Sequence, residues 1–151
     1  MLVQFSDDCS FMEMALEEAR LAAERCEVPV GAVLVSGSHV IRGHNRTITD
    51  CDPAAHAEIV VIREASRLIG NYRLTEACLY VTLEPCIMCV GAVIQARIAR
   101  LVYGAKDPRY GAVESMMKAF ELEVNHRPEI SSGIRAEQAG EILTKFFQAK
   151  R

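Results

Sequence analysis

Four residues in two short stretches have the types and spacing to do chemistry together. They are His56 and Glu58 in "DPAAHAEIVVIREAS", and Cys86 and Cys89 in "TLEPCIMC". His56 and Glu58 stand just ahead of the apolar Ile59, Val60 and Ile62. Ionisable groups entering a core are costly unless they are paired or ligated. Cys86 and Cys89 are three residues apart, on one face of a helix whose first turn favours thiolates. One C-x-x-C alone fits a redox pair or two buried thiols as readily as a metal site. One histidine at a helix start is more often structural than a ligand. Taken together, an imidazole and two thiolates make a zinc site with three protein ligands. The fourth tetrahedral position stays open for water, which marks a catalytic zinc rather than a structural one. Glu58, two residues from a ligand, can then reach that water without binding the metal and act as general acid and base.

To meet, these residues need elements that bring two helix starts to one place. "SFMEMALEEARLAAERC", residues 10–26, has an apolar stripe of Phe11, Met14, Ala15, Leu21 and Ala22, which predicts a helix. Ser10 with Glu13 three residues on reads as its capping box, and Pro29 as its stop. "VGAVLVS" and "HVIRGHN" predict two strands of a hairpin turning at Ser36-Gly37-Ser38. The His56 helix should run to Gly70. "ACLYVTL" predicts a central strand, and Pro85 suits the first turn of the helix "CIMCVGAVIQAR". "IARLVYG" predicts another strand, residues 113–121 a helix, and Glu137 to Ala149 a final amphipathic helix. Strands alternating with helices indicate an α/β fold, a mixed sheet with helices on both faces. In such a sheet, loops leaving the carboxyl ends of strands converge on one crevice, where His56, Cys86 and Cys89 can meet.

The 151 residues suffice for one domain, 1–151, with a full core, and half of them are apolar. No apolar run reaches the ~18 residues that cross a membrane. The start "MLVQFSDDCSFMEM" lacks a basic, apolar leader, so a cytoplasmic location is expected. Six scattered cysteines with a single C-x-x-C argue for metal or redox chemistry over disulfides. Net charge is −3, unevenly placed. Residues 1–30 hold 7 acids and 2 bases, and the remainder 13 acids and 15 bases. An acidic first helix beside a mildly basic remainder permits, without requiring, a basic patch for an anionic partner.

"HAE" followed by "PCIMC" matches the H-x-E…P-C-x-x-C signature of zinc nucleobase deaminases. The resemblance extends along nearly the whole chain. "VPVGAVLV", "GHNR", "DPAAHAE", "LYVTLEPCIMC", "GAVIQARI", "YGAKDPRYGA", "NHRPEI" and the late "FF" resemble the bacterial tRNA adenosine deaminases, which convert the wobble adenosine of an anticodon to inosine. The zinc core is common to many deaminases, whereas the segments after Gly104 favour the tRNA enzymes. The resemblance implies a cytidine-deaminase-like three-layer α/β/α sandwich with a central five-stranded mixed sheet. It implies one zinc per chain held by His56, Cys86 and Cys89, with Glu58 as proton shuttle. Asn45 is implied as a contact to the target nucleoside, and Val30 and Ala57 as pocket lining. Asp107 is implied beside the ribose of the preceding nucleotide. The implied partners are a tRNA anticodon stem-loop and a second copy of the chain, as a homodimer, with no membrane.

Two other readings use the same residues. One is a deaminase of free bases such as guanine or cytosine, built on the same zinc core. The other is a structural zinc protein in which Cys51 or Cys78 closes the fourth position and Glu58 is incidental. Asp107 also has a plain alternative, since Asp before Pro commonly starts a turn.

Overall fold

The computed structural model describes residues 5–150, with side chains described from Asp7. A helix α1 (Phe5–Glu24) leads into a hairpin of β1 (Gly31–Ser36) and β2 (His39–His44). Then come α2 (Ala57–Ile69), β3 (Cys78–Leu83), α3 (Ile87–Ala96), β4 (Arg100–Ala105), a short β5 (Glu129–Ser132) and α4 (Ala136–Ala149). The five strands form one sheet in the order β2-β1-β3-β4-β5. β1 is antiparallel to both of its neighbours, and the β3–β4 and β4–β5 pairs are parallel. The sheet is therefore mixed, as expected.

Its two faces are covered by different helices, and the strands alternate accordingly. Ala32 and Leu34 of β1, Leu79 and Val81 of β3, and Leu101 and Tyr103 of β4 share one core with Val61 and Ile62 of α2 and Val90 and Val93 of α3. The alternate residues Val33, Val35, Cys78, Tyr80 and Val102 share the other core with Met12 and Ala15 of α1. α4 lies on this second side, against β4 and α1. This is the three-layer sandwich. α1 approaches β1 so closely that a Cβ at Gly31 would overlap the carbonyl oxygen of Ala15. A buried ion pair fastens α1 to the sheet: Arg100 grips Asp8 through two N–H bonds of 2.6 and 2.7 Å, and the Tyr80 hydroxyl donates to Asp8 at 2.8 Å.

Several local expectations need correction. α1 begins by Phe5, so Ser10 lies inside it and caps nothing, and it ends at Glu24, five residues before Pro29. The segment 113–121 is not an α-helix, and only a 3-10 turn forms, at Ala119–Glu121. Pro85 precedes the N-cap of α3 rather than sitting in its first turn. The α2 stop is as expected: Gly70 takes the left-handed conformation, φ 75°, and its N–H returns to the Ser66 carbonyl.

Candidate active site

The topology sets where the chemistry can happen. β2 and β3 are both antiparallel to β1, so they run the same way, and β4 runs with them. All three leave the sheet at one edge. The loop after β2 leads to His56, the turn after β3 to Cys86, and the loop after β4 carries residues 106–110. β1 starts at this edge, which brings Val30 there too. A cleft of about 710 Å³ opens along it, with α4 forming the outer wall through Leu143, Thr144 and Phe147.

His56 is the N-cap of α2 and Cys86 the N-cap of α3; both have extended backbones and neither caps its helix with its side chain. The side chains are thereby left to face one another. Nδ1 of His56 lies 3.6 Å from Sγ of Cys86 and 3.6 Å from Sγ of Cys89. All three candidate ligand atoms fall within 4.8 Å of one another. Zinc bonds of about 2.0–2.1 Å to nitrogen and about 2.3 Å to sulfur, meeting at a tetrahedral angle, require an N···S separation of roughly 3.6 Å. The donor set and its spacing fit zinc. Cys86 is held well below the ordinary thiol range, first by the hydrogen bond from Cys89 and, against the cost of burial, by the one from His56. Metal binding at such a site is coupled to loss of the thiol protons.

Glu58 is 3% exposed, in the first turn of α2, and faces the cleft beside His56 and Cys86. Burial pushes its carboxyl above the usual range, partly offset by its own backbone N–H and by Cys89. A carboxyl placed here can accept and return a proton within the cleft. Asn45 and Val30, both buried, also line the cleft. Asp107 lines it and forms a turn as well: its Oδ1 accepts the N–H groups of Arg109 at 3.0 Å and Tyr110 at 3.3 Å. Ala57 is fully buried at the start of α2, and the cleft wall does not include it. Cys51 is exposed, with Sγ directed at the Ile48 carbonyl. Cys78 is packed in the core on the α1 side of the sheet. Among the described residues, the metal-ligating group comprises His56, Cys86 and Cys89 alone.

Residues 5–105 match the cytidine and deoxycytidylate deaminase zinc-binding region. The tRNA-specific adenosine deaminase of Agrobacterium fabrum (strain C58) is 54% identical over 143 residues, covering 93% of this chain and 94% of that protein. The chain belongs to the tRNA-specific adenosine deaminase family. A solved tRNA:A34 deaminase, studied for A-to-I editing at the wobble position of transfer RNA, superposes on this deaminase with a TM-score of 0.87. It is 53% identical, covering 89% of this chain and 99% of the solved one. The guanine deaminase of Nitrosomonas europaea shares the fold of this deaminase, with a TM-score of 0.79 at 23% identity over 97% of this chain and 86% of the solved one.

Two further carboxylates organise the site of this deaminase without facing it as ligands, and sequence reasoning passed over both. Glu27 is fully buried beneath the loop leading to His56, and accepts the N–H groups of Ile48 and Thr49 and the hydroxyls of Thr47 and Thr49. Glu84, 3% exposed, lies beneath the loop after β4. In sequence, a glutamate normally reads as solvent-facing. The available signal was the position of Glu84 directly after a strand that is apolar but for Thr82. The ring of His126, in the loop before β5, contacts the Ile98 carbonyl at 2.7 Å.

Proposed function

We propose that this protein is a zinc-dependent hydrolase that deaminates the wobble adenosine of a tRNA anticodon to inosine. The observation that carries the reading is the convergence of His56, Cys86 and Cys89 at zinc-binding separations, with the buried Glu58 beside them, at the base of an open cleft. Zinc, when bound, supplies a Lewis acid that makes water nucleophilic near neutral pH. Glu58 takes the two protons of the attacking water in turn, passing the first to the adenine ring nitrogen and the second to the departing ammonia. Asn45 orients the nucleoside, Val30 packs against the base, and Ala57 supports this wall from behind. Asp107 meets the ribose of the preceding nucleotide. Lys106 and Arg109 at the rim supply positive charge for the RNA backbone.

One zinc per chain, a homodimer and a cytoplasmic location complete the proposal. Ile87 and Met88, exposed between the two thiols, offer a second copy apolar surface to cover. No described helix is long and apolar enough to cross a membrane. The close relatives favour a tRNA substrate over a free base. The test is mass spectrometry of nucleosides from tRNA incubated with purified protein. Inosine should form with the anticodon stem-loop and not after metal removal, while adenine, guanine and cytosine remain unchanged. Turnover of a free base with an intact stem-loop would establish the other enzymatic reading.

A further inference from the structure

We propose that Glu84 is a positioning residue, locking the substrate-facing loop 106–115 onto the turn that carries Cys86. The inference rests on the function proposed above and concerns a carboxylate that adjoins the cleft beside Cys86 but is not part of the metal-ligating group. Its carboxylate is nearly enclosed and serves as the hub of five hydrogen bonds. Oε1 accepts the N–H of Asp107 at 3.1 Å and the hydroxyl of Ser115. Oε2 accepts the N–H groups of Val113, Glu114 and Ser115 at 3.1, 2.9 and 3.0 Å. Two backbone bonds run alongside: Glu84 N–H to the Ala105 carbonyl, and Ala112 N–H to the Pro85 carbonyl, each 2.8 Å. Both ends of the loop are therefore tied to residues 84–85, next to Cys86.

The approach is close enough to dictate the sequence of the loop. A Cβ at Gly111 would run into the Glu84 carboxylate. Between the tied ends lie Asp107, Pro108, Arg109 and Tyr110, all on the cleft wall. These residues would meet the nucleotides flanking the target base, while the base itself is handled by the metal ligands and Glu58. Glu84 thus sets the distance between the flanking-nucleotide contacts and the reaction centre. Loss of this tie should weaken the grip on the RNA more than it slows the chemical step.

Glu84→Gln tests this with almost no change in volume. Whichever way the amide turns, its NH₂ replaces an oxygen that accepts at least two donors, so donors face donors. For the anticodon stem-loop, KM should rise about tenfold, with saturating single-turnover kcat within about twofold and zinc content unchanged. Hydrogen exchange should show amides 107–115 exchanging faster, with α2 and α3 protected as before. Gly111→Ala, whose Cβ would press on both the Glu84 carboxylate and the Asp107 carbonyl oxygen, should give the same KM-led defect, and Ser115→Ala, which removes one donor alone, a smaller one. An unchanged KM with unchanged protection of 107–115 would overturn the proposal. So would loss of zinc and of kcat at unchanged KM, which would make Glu84 a support of the metal turn alone. If the wild-type protein leaves the stem-loop unmodified, the functional reading fails, while hydrogen exchange and zinc content still decide the role of Glu84.

Discussion

At the scale of single residues, Glu58 and His56 share one helical turn and are assigned different work by their surroundings. His56 faces two thiols at 3.6 Å, whereas Glu58 is enclosed beside the cleft. Replacing Glu58 by Ala should leave zinc bound while turnover falls by ~10²- to 10⁴-fold or more, the range of a general acid and base. Metal analysis paired with inosine formation checks it, and loss of zinc would make Glu58 structural. The thiols divide in the same manner. Cys86→Ser should lose metal and activity together, while Cys51→Ser should keep both, because Cys51 lies outside the ligand group. Zinc loss from the Cys51 variant would point to a closed, structural site.

Asp107 does two things at once, so a single substitution must be chosen to separate them. Asn retains an oxygen that can accept the Arg109 and Tyr110 amides, so the turn should survive. What it removes is the charge, which favours a donor such as the ribose 2′-hydroxyl. Asp107→Asn should narrow the RNA-over-DNA preference by about tenfold, equivalent to ~1.4 kcal/mol. The measurement is kcat/KM on matched RNA and DNA hairpins at fixed salt. An unchanged ratio would reduce Asp107 to a turn former.

Among the elements, the loop before α2 depends on Glu27. Burial pushes its carboxyl up, but the bonds from Thr49, then Ile48 and Thr47, outweigh it and hold the group below its ordinary value of 4.5. A carboxyl that is more acidic in the folded state stabilises fully above its unfolded pKa and loses that contribution as pH falls through the folded one. The stability gap between wild type and Glu27→Gln should therefore be widest near neutral pH and shrink between roughly pH 5 and pH 3. Urea denaturation at a series of pH values reads it directly, and a gap independent of pH would show that the charge is not what holds the loop.

The elements also show what a linear reading can and cannot reach. β1, β3, β4, α2 and α4 follow from apolar period and stop signals, and the ligand trio from residue type and spacing. Residues 113–121 do carry a helical pattern. The N–H groups of Met116 and Met117, however, both return to the Gly111 carbonyl, while those of Val113, Glu114 and Ser115 are held by Glu84, so the chain turns once without continuing as a helix. A partner some thirty positions away is invisible to local propensity. β5 escaped for the opposite reason. "EISS" is short and largely exposed, so it has no alternation to detect, and only its pairing with β4 makes it a strand. Ser10 shows a third limit, because a capping-box pattern carries no signal once the helix has started further upstream.

For the whole molecule, the uneven charge resolves into pairing. Four acids of α1 are answered by bases: Asp8 by Arg100, Glu17 and Glu18 by Arg42, and Glu13 by Arg135 and by Arg20 of α1 itself. α1 contributes nothing to the cleft wall, so its negative charge stands away from the route by which RNA would enter.

The hairpin turn of β1 and β2 lies at the opposite end of the strands from the cleft. Gly37 adopts φ 58°, and a Cβ there would meet nothing. Lengthening such a surface connection costs only about 0.6 kcal/mol for each doubling of its length. A lanthanide-binding peptide or fluorescent label inserted between Gly37 and Ser38 should leave turnover within about twofold, measured on the same stem-loop. Loss of activity on insertion would show that β2, an edge strand, transmits disturbance to Asn45 at its far end. With activity retained, this turn becomes an attachment point for holding the enzyme on a surface with its cleft facing outward, free to take up a polymer as large as tRNA.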